Sequence, residues 1–529
     1  MHVIPAIAAA TAASTGGLPV DGPWRITADP SLQQVADVLR DLLAPHLGDR
    51  IAPPGGAGRT LRLTRQSPPP PARQAVGTAP TGAAEPPDES YEVTVDEGGI
   101  TCRARTGAGA FRAATTAAQM LLTTPPGGML AHRRVRDAPH FAWRGLMLDP
   151  ARTFLAPADL RRLIDVAALY KFNVLHLHLT DNEGWRLEVP PLPQLTGRHE
   201  SSSRHHYTVD DYAALQEYAA LRHLTLVPEI DLPGHCAPLR AVVPGLPGSP
   251  APPGLTGRFP FVSPLDLTDP ATRDTVAAVL ADVCARTRGP FVHIGGDEAF
   301  GVTHENFAAS VGVLRALVRE SGKIPIAWQE ASRAGVEPGE VFQHWVDVPM
   351  MDLPDTAEAL AGRPELTAAG FSVELIAALK GFFAPCDRDV ARVLAGGGRV
   401  LLSPQSHLYL DRPYAADITP PAAVPRRTPL GFPGYRPRGV EHTASWDPAQ
   451  HGVPDERIAG VEATLFAERL GGFDDVSTLL LPRLPSVAEA AWNGRAPHWP
   501  AHRRRLGAHA RWWRQRALAF FPATDVPWR

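Results

Sequence analysis

The sequence predicts an α/β protein: a (β/α)8 (TIM) barrel preceded by a small α+β domain. Three observations predict it. From residue 141 onward, eight short apolar runs recur at 145–148, 173–179, 225–230, 291–294, 324–328, 341–345, 400–403 and 458–465. Strands that are apolar throughout need cover on both faces, as in a parallel sheet or barrel. Helical spacing of apolar residues falls between the runs, at 158–170, 209–221, 271–286, 305–321 and 476–492. Before residue 136 the pattern differs, with alternating strands and separate helices that mark another unit. A doubly wound sheet alternates in the same way; the count of eight favours the barrel.

The bulk properties agree with two domains and exclude several classes. A chain of 529 residues exceeds one average domain. With 44% hydrophobic and 20% charged residues it has ample material for a core, and a formal charge of −3 points to neither nucleic acid nor an anionic membrane. No apolar stretch approaches the ~18–20 residues of a membrane span. Only Lys171, Lys323 and Lys380 are lysines, which with 56 prolines reads as coding bias and carries no functional weight. Cys102, Cys236, Cys284 and Cys386 lie far apart without CxxC or Cys/His spacing, so buried thiols are expected rather than a disulfide framework.

Taken in order, residues 1–19 form an N-terminal segment. Its weak apolar run at 4–13 has no basic residue before it, unlike a signal peptide, so a soluble, cytoplasmic protein is expected. Residues 20–135 form the small domain. Val35, Val38, Leu39, Leu42 and Leu43 predict a helix over 31–47; alternation predicts strands over 59–64, 91–95 and 100–104. Residues 67–90, rich in Pro, Ala and Gly, are read as a flexible loop. A helix over 111–122 precedes a Pro-Pro-Gly-Gly stop. Residues 136–500 are the barrel, whose fifth and sixth helices are not placed within 346–399, and 412–450 is a second long excursion. Residues 501–529 are a helical extension.

The chemistry-bearing residues stand where the runs stop. Asp149 and Arg152 follow the first run, and Asp181, Trp185 and Arg186 the second. Glu229, Asp231 and His235 close the third, Asp297 and Glu298 the fourth, Trp328 and Trp345 the fifth and sixth. Tyr409 and Asp411 lie past the seventh, Phe466 and Glu468 past the eighth. Barrel enzymes build their sites at the carboxyl ends of the strands, so these residues belong to one face. Acids and Arg suit sugar hydroxyls, and indole rings suit the C–H faces of sugars. A phosphate site wants a Gly-rich cradle or a lysine, and neither is present. His176 and His178 lack a third ligand at convincing spacing for zinc. No metal or cofactor is expected.

Four segments in order, Arg144 to Arg152, His178 to Arg186, Pro228 to His235 and His293 to Glu298, resemble glycoside hydrolase family 20, the β-N-acetylhexosaminidases. Tyr409–Leu410–Asp411 and 482–492 extend the resemblance, and 20–135 is similar to the α+β domain that precedes the family's barrel. The resemblance implies exo-acting removal of terminal N-acetylhexosamine by a substrate-assisted retaining mechanism. The substrate's 2-acetamido oxygen attacks the anomeric carbon and forms an oxazolinium ion. Glu298 is implied as the acid and base, and Asp297 as the group that holds the acetamido N–H. Glu298 then needs a raised pKa, which a neighbouring Asp297 is expected to supply. Arg152, Asp411 and Glu468 are implied to bind sugar hydroxyls, and Tyr409 the acetamido carbonyl. Trp328 and Trp345 are implied as pocket walls, with Asp181 and His235 as a network behind Glu298. Family members have Trp where this chain has Phe466, which leaves the wall smaller.

The competing reading is a catalytically impaired carbohydrate-binding protein on the same barrel, favoured only by Phe466. A retaining glycosidase with a protein nucleophile is the third reading.

Overall fold

The computed structural model describes all residues except 54, 67–73, 198–204, 252–261, 349–351, 416–429 and 529. Eight parallel strands close a barrel in chain order: Trp143–Leu148, Val174–His178, Thr225–Glu229, Phe291–His293, Ile324–Trp328, Val341–His344, Arg399–Leu402 and Ile458–Leu465. Each falls on a predicted apolar run. One residue from every strand (Trp143, Val174, Val227, Phe291, Ile326, Val341, Leu401 and Ala459) meets in an apolar layer inside the barrel. That plug excludes water from the barrel's lower interior, as expected of a packed barrel core.

The layer above is polar, which is unusual for a barrel interior. Glu229 accepts from Trp328 Nε1 at 2.7 Å and lies 2.6 Å from His178 Nδ1 and 2.9 Å from His293 Nδ1. Glu462 lies 2.8 Å from His176 Nδ1 and accepts from Trp143 Nε1 at 3.0 Å. Gly145 makes this layer possible: a Cβ there would stand 2.0 Å from Glu462 Oε2. The spacing of His176 and His178 hides the fact that His293 and Glu229 join them across the strands. Glu229 stands 3.2 Å from His176 Nε2 and 2.9 Å from His293 Nδ1, so the three form an internal network, with His293 Nε2 left without a hydrogen-bond partner among the described residues.

Helices cover the barrel. Pro157–Leu169, Val209–Ala220, Pro270–Arg286 and His304–Glu320 match predicted stretches, and Thr208, Asp269 and Thr303 cap the last three with side-chain oxygens. The predicted helix over 476–492 is two helices, Phe473–Leu480 and Leu484–Asn493. Pro482 and Pro485 lack the N–H groups that would carry a helix through the junction. Strand five is followed only by a 3-10 turn at Gln329–Ala334. The long stretch after strand six folds into Ala357–Ala361, Pro364–Ala368, Val373–Phe383 and Asp389–Ala395.

The small domain is a six-stranded sheet in the order Ala9–Pro19, Met129–Asp137, Tyr91–Asp96, Gly99–Arg103, Arg59–Thr64, Trp24–Ala28. The helices Gln33–Leu47 and Gly107–Thr123 pack together, and the second also covers the central strands. Two boundaries change. Ala9–Pro19, set aside as an N-terminal segment, is the sheet's edge strand and pairs with Met129–Asp137. The helical extension read over 501–529 begins at Trp499, and its helix Trp499–Gln515 packs on the small domain's Gly107–Thr123 and Gln33–Leu47.

The 67–90 loop also changes. Residues 67–73 lie outside the described residues. Beyond them the loop is tied to the barrel, with Val76 N donating to His140 O and Thr78 N to Ala459 O, both at 2.8 Å. Glu89, fully sequestered, binds Arg112 of the small domain and Arg144 of strand one at 2.7 Å each. Lys171 donates to Tyr91 OH at 2.7 Å and pairs with Asp137 at 3.4 Å, and Trp492 Nε1 donates to Asp137 at 3.0 Å. Buried charges need such partners, so the two units are locked by polar contacts as well as apolar ones.

Candidate active site

Because all eight strands are parallel, their carboxyl ends meet on one face. Strand four ends at His293, and residues 294–298 turn across the mouth of the barrel. Gly295 has φ +70, and a Cβ there would stand 1.7 Å from Asp231 Oδ1, so the turn closes against Asp231 only with glycine. Gly296 N donates to the same oxygen at 3.2 Å. The turn delivers Asp297 buried and Glu298 half-buried. Glu298 and His235 have φ of 45° and 44°, a left-handed conformation that costs about 1–3 kcal/mol for side-chain-bearing residues. Strain at two facing residues fixes where their side chains point.

These side chains border a cavity of about 520 Å³, within the ~300–1,000 Å³ usual for small-molecule sites. Arg152, Asp181, His235, Asp297 and Glu298 line one side. Trp345, Tyr409, Asp411, Phe466 and Glu468 line another. Trp328 does not line it. It is buried beneath, with its N–H spent on Glu229 and its ring 6.3 Å from Phe466, because the strand turns that indole into the polar layer. Trp345 keeps a wall position: its Nε1 donates to Glu330 at 3.0 Å and its ring stacks on Tyr409 at 6.1 Å. Phe466 packs 5.3 Å from Tyr409 under the Arg152 guanidinium, which lies 5.4 Å from the ring.

The charges are arranged in series. Asp181 lies 2.7 Å from His178, 2.8 Å from Arg152 and 3.0 Å from His235 Nδ1. The other nitrogen, His235 Nε2, is 3.6 Å from Glu298 and 3.9 Å from Asp297. Burial works against a charged His235, but Asp181, Asp297 and Glu298 outweigh it and push its pKa up to about 10. Arg152 also meets Asp149 at 3.1 Å and stands 3.9 Å from Glu468.

Glu298 is held above the ordinary carboxylate value, as a general acid requires, and burial is the largest cause. Asp181 adds to the rise, while His235 and Arg152 pull it down. Repulsion between Glu298 and the adjacent Asp297 also disfavours charging both carboxyls. The Asp297 carboxyl is pushed well up by burial and by Asp231, whose carboxyl is raised in turn by burial and Glu229. Like charges this close do not both ionise readily, so Asp231 and Asp297 favour sharing a proton. Burial and Glu468 likewise raise Asp411.

Five buried atoms on residues that line the cavity have no hydrogen-bond partner among the described residues: Arg152 Nε, Asp231 Oδ2, His235 Nε2, Asp297 Oδ1 and Asp411 Oδ1. Buried polar atoms are almost always satisfied, so a cluster of exceptions in one cavity marks a place where a polar ligand completes the bonding. Sequence reasoning missed the apolar side of this cavity. Phe300, Phe371, Leu379, Phe383, Phe432 and Tyr435 line it as well. Phe300 alone, two residues past Glu298, carried a positional signal.

Comparison with known proteins gives a consistent answer. The family model described as glycosyl hydrolase family 20, catalytic domain, matches residues 141–322 and 384–495, and that for domain 2 of the same family matches 1–138. A β-N-acetylhexosaminidase of Cellulomonas fimi is 34% identical over 83% of this chain and 82% of its own length. Among solved structures, a mutant Streptomyces plicatus β-hexosaminidase in complex with GlcNAc superposes with a TM-score of 0.78 at 30% identity, covering 100% of this chain and 98% of that one. The family 20 β-N-acetylhexosaminidase of Streptomyces coelicolor gives 0.77 at 30% identity, covering 100% and 99%.

Proposed function

The chain belongs to glycosyl hydrolase family 20 and is a β-N-acetylhexosaminidase, and we propose that its Glu298 and Asp297 divide proton transfer from steering of the substrate's nucleophile. The enzyme is exo-acting and takes a terminal N-acetylhexosamine. Its reaction is the substrate-assisted retaining hydrolysis general to the family.

The observation that carries the residue assignment is the pairing of a raised, half-buried Glu298 with an unsatisfied, buried Asp297 Oδ1. Arg152, Asp411 and Glu468 hold the sugar hydroxyls, which orients the ring. Tyr409 OH donates to the acetamido carbonyl, and Asp297 accepts the acetamido N–H, turning the carbonyl oxygen toward the anomeric carbon. That oxygen then attacks as an internal nucleophile, for which effective molarities of ~10⁵–10⁸ M are available. Glu298 gives its proton to the leaving oxygen. It then takes one from the water that opens the oxazolinium ring, with His235 beside it to stabilise the carboxylate in between. Positive charge on the acetamido nitrogen strengthens its bond to Asp297 in the transition state.

Turnover of a chromogenic N-acetylglucosaminide, with and without a thiazoline mimic of the ring intermediate, tests this. Hydrolysis that is abolished in Glu298→Gln and strongly inhibited by the thiazoline is expected. A glycosyl adduct trapped on a protein carboxylate, with no thiazoline binding, would refute it.

A further inference from the structure

The cavity is divided by chemistry. Its polar groups come from the loops after strands one to four, seven and eight. One arc, from Phe300 beside the acid to Trp345, is apolar. Phe300 meets Phe382 at 4.1 Å and Phe383 at 6.3 Å, and Phe383 meets Trp345 at 5.4 Å. Leu379, one turn earlier on the helix Val373–Phe383, faces the same space, and Phe371 precedes the helix, 6.5 Å from Phe432.

Two facts give this arc a meaning. First, Phe300 follows Glu298 by two residues, so the arc begins on the side of the group that protonates the leaving oxygen. It therefore borders the leaving group rather than the sugar held by Arg152. Second, Phe371, Leu379 and Phe383 belong to the segment Leu353–Phe383, which stands outside the two stretches that match the family's catalytic domain. These residues share an apolar cluster with Leu353, Leu366 and Ile376. That cluster is a built wall with its own core. Among the described residues that line the cavity, none between 300 and 383 offers a charged or amide side chain. A leaving-group sugar can lay a C–H face on an aromatic ring, but its rim of hydroxyls meets no charged or amide side chain along this arc, a cost that an alkyl or aryl group avoids.

We propose that the segment 353–383 makes the leaving-group subsite apolar, so that the enzyme prefers N-acetylhexosaminides carrying an alkyl or aryl aglycone over those whose leaving group is a second sugar. The proposal rests on the hexosaminidase reading above. It adds the identity of the aglycone, which the catalytic residues leave open.

Octyl and methyl β-N-acetylglucosaminides and N,N'-diacetylchitobiose test it on the full chain. Methyl glycoside turnover reports the basic activity alone; its absence would overturn the hexosaminidase reading and not bear on the wall. Given that turnover, the octyl glycoside is expected to exceed both the methyl glycoside and diacetylchitobiose in kcat/KM by about tenfold or more, the lower end of what a hydrophobic contact discriminates. Leu379→Ala and Phe300→Ala are each expected to reduce the octyl-to-methyl ratio several-fold. That ratio is internal to each preparation, so partial misfolding cancels. Diacetylchitobiose outpacing the octyl glycoside, or ratios unmoved in both variants, would overturn the proposal.

Discussion

Replacing His235 with asparagine tests how the site sets the acidity of Glu298. Asparagine keeps a donor for Asp181 but removes the positive charge 3.6 Å from the Glu298 carboxylate. At that separation Coulomb's law gives about 4.6 kcal/mol for an effective dielectric of ~20 and about 1.2 kcal/mol for bulk water. At 1.36 kcal/mol per unit these bracket a rise of about 0.8 to about 3.4 pH units. Glu298 is half-buried at the cavity, so a rise of ~1–2 units is expected. The sign is fixed: losing a cation disfavours the carboxylate and favours the protonated acid. The free-enzyme pKa of the acid sets the alkaline limb of kcat/KM. That limb, measured with a chromogenic N-acetylglucosaminide, therefore moves to higher pH in His235→Asn. A limb that stays in place or moves to lower pH would refute the assignment of His235⁺ as the partner of Glu298.

Asp297→Asn is expected to lower kcat by about 10²–10³, the scale for removing one preorganised transition-state contact, with little change in KM. A large rise in KM with kcat intact would count against its role. Glu89→Ala strands Arg112 and Arg144 in the interior and is expected to cost about 3–5 kcal/mol in denaturant unfolding at neutral pH. Burial opposes the Glu89 charge, but the two arginines hold its carboxyl below the ordinary value. Its contribution is thus present above the unfolded carboxylate pKa and is lost as pH falls through the folded one, so the wild-type and variant curves converge in acid. Curves that stay parallel into acid would show that the pair is not the source.

The barrel was legible because its strands are short, apolar and bounded, and because catalytic side chains sit at their ends. The strand Met129–Asp137 was not, since the buried side of its alternation includes His132 and Asp137, which hide the period. Ala9–Pro19 escaped because it is built of small residues with little strand preference. In the site, Arg152, Asp297 and Glu298 could be placed from position alone. The orientation of Trp328 could not, because one strand position decides between wall and interior. Nor could the apolar arc, whose members are brought together from 300, 371–383 and 432–435 by packing that leaves no local pattern.

The buried contacts between the two units also bear on how the chain is made. Residues 1–138 leave the ribosome first, yet several of the groups that complete them come last. The indole that satisfies Asp137 belongs to Trp492, the carbonyl that receives Thr78 N belongs to Ala459, and the helix covering Gly107–Thr123 begins at Trp499. Until roughly the final tenth of the chain has been synthesised, the small domain carries a carboxylate without its full set of donors and an uncovered helix face. Its folding is therefore completed by late segments of the chain, and removing the last helix uncovers Gly107–Thr123 in the small domain.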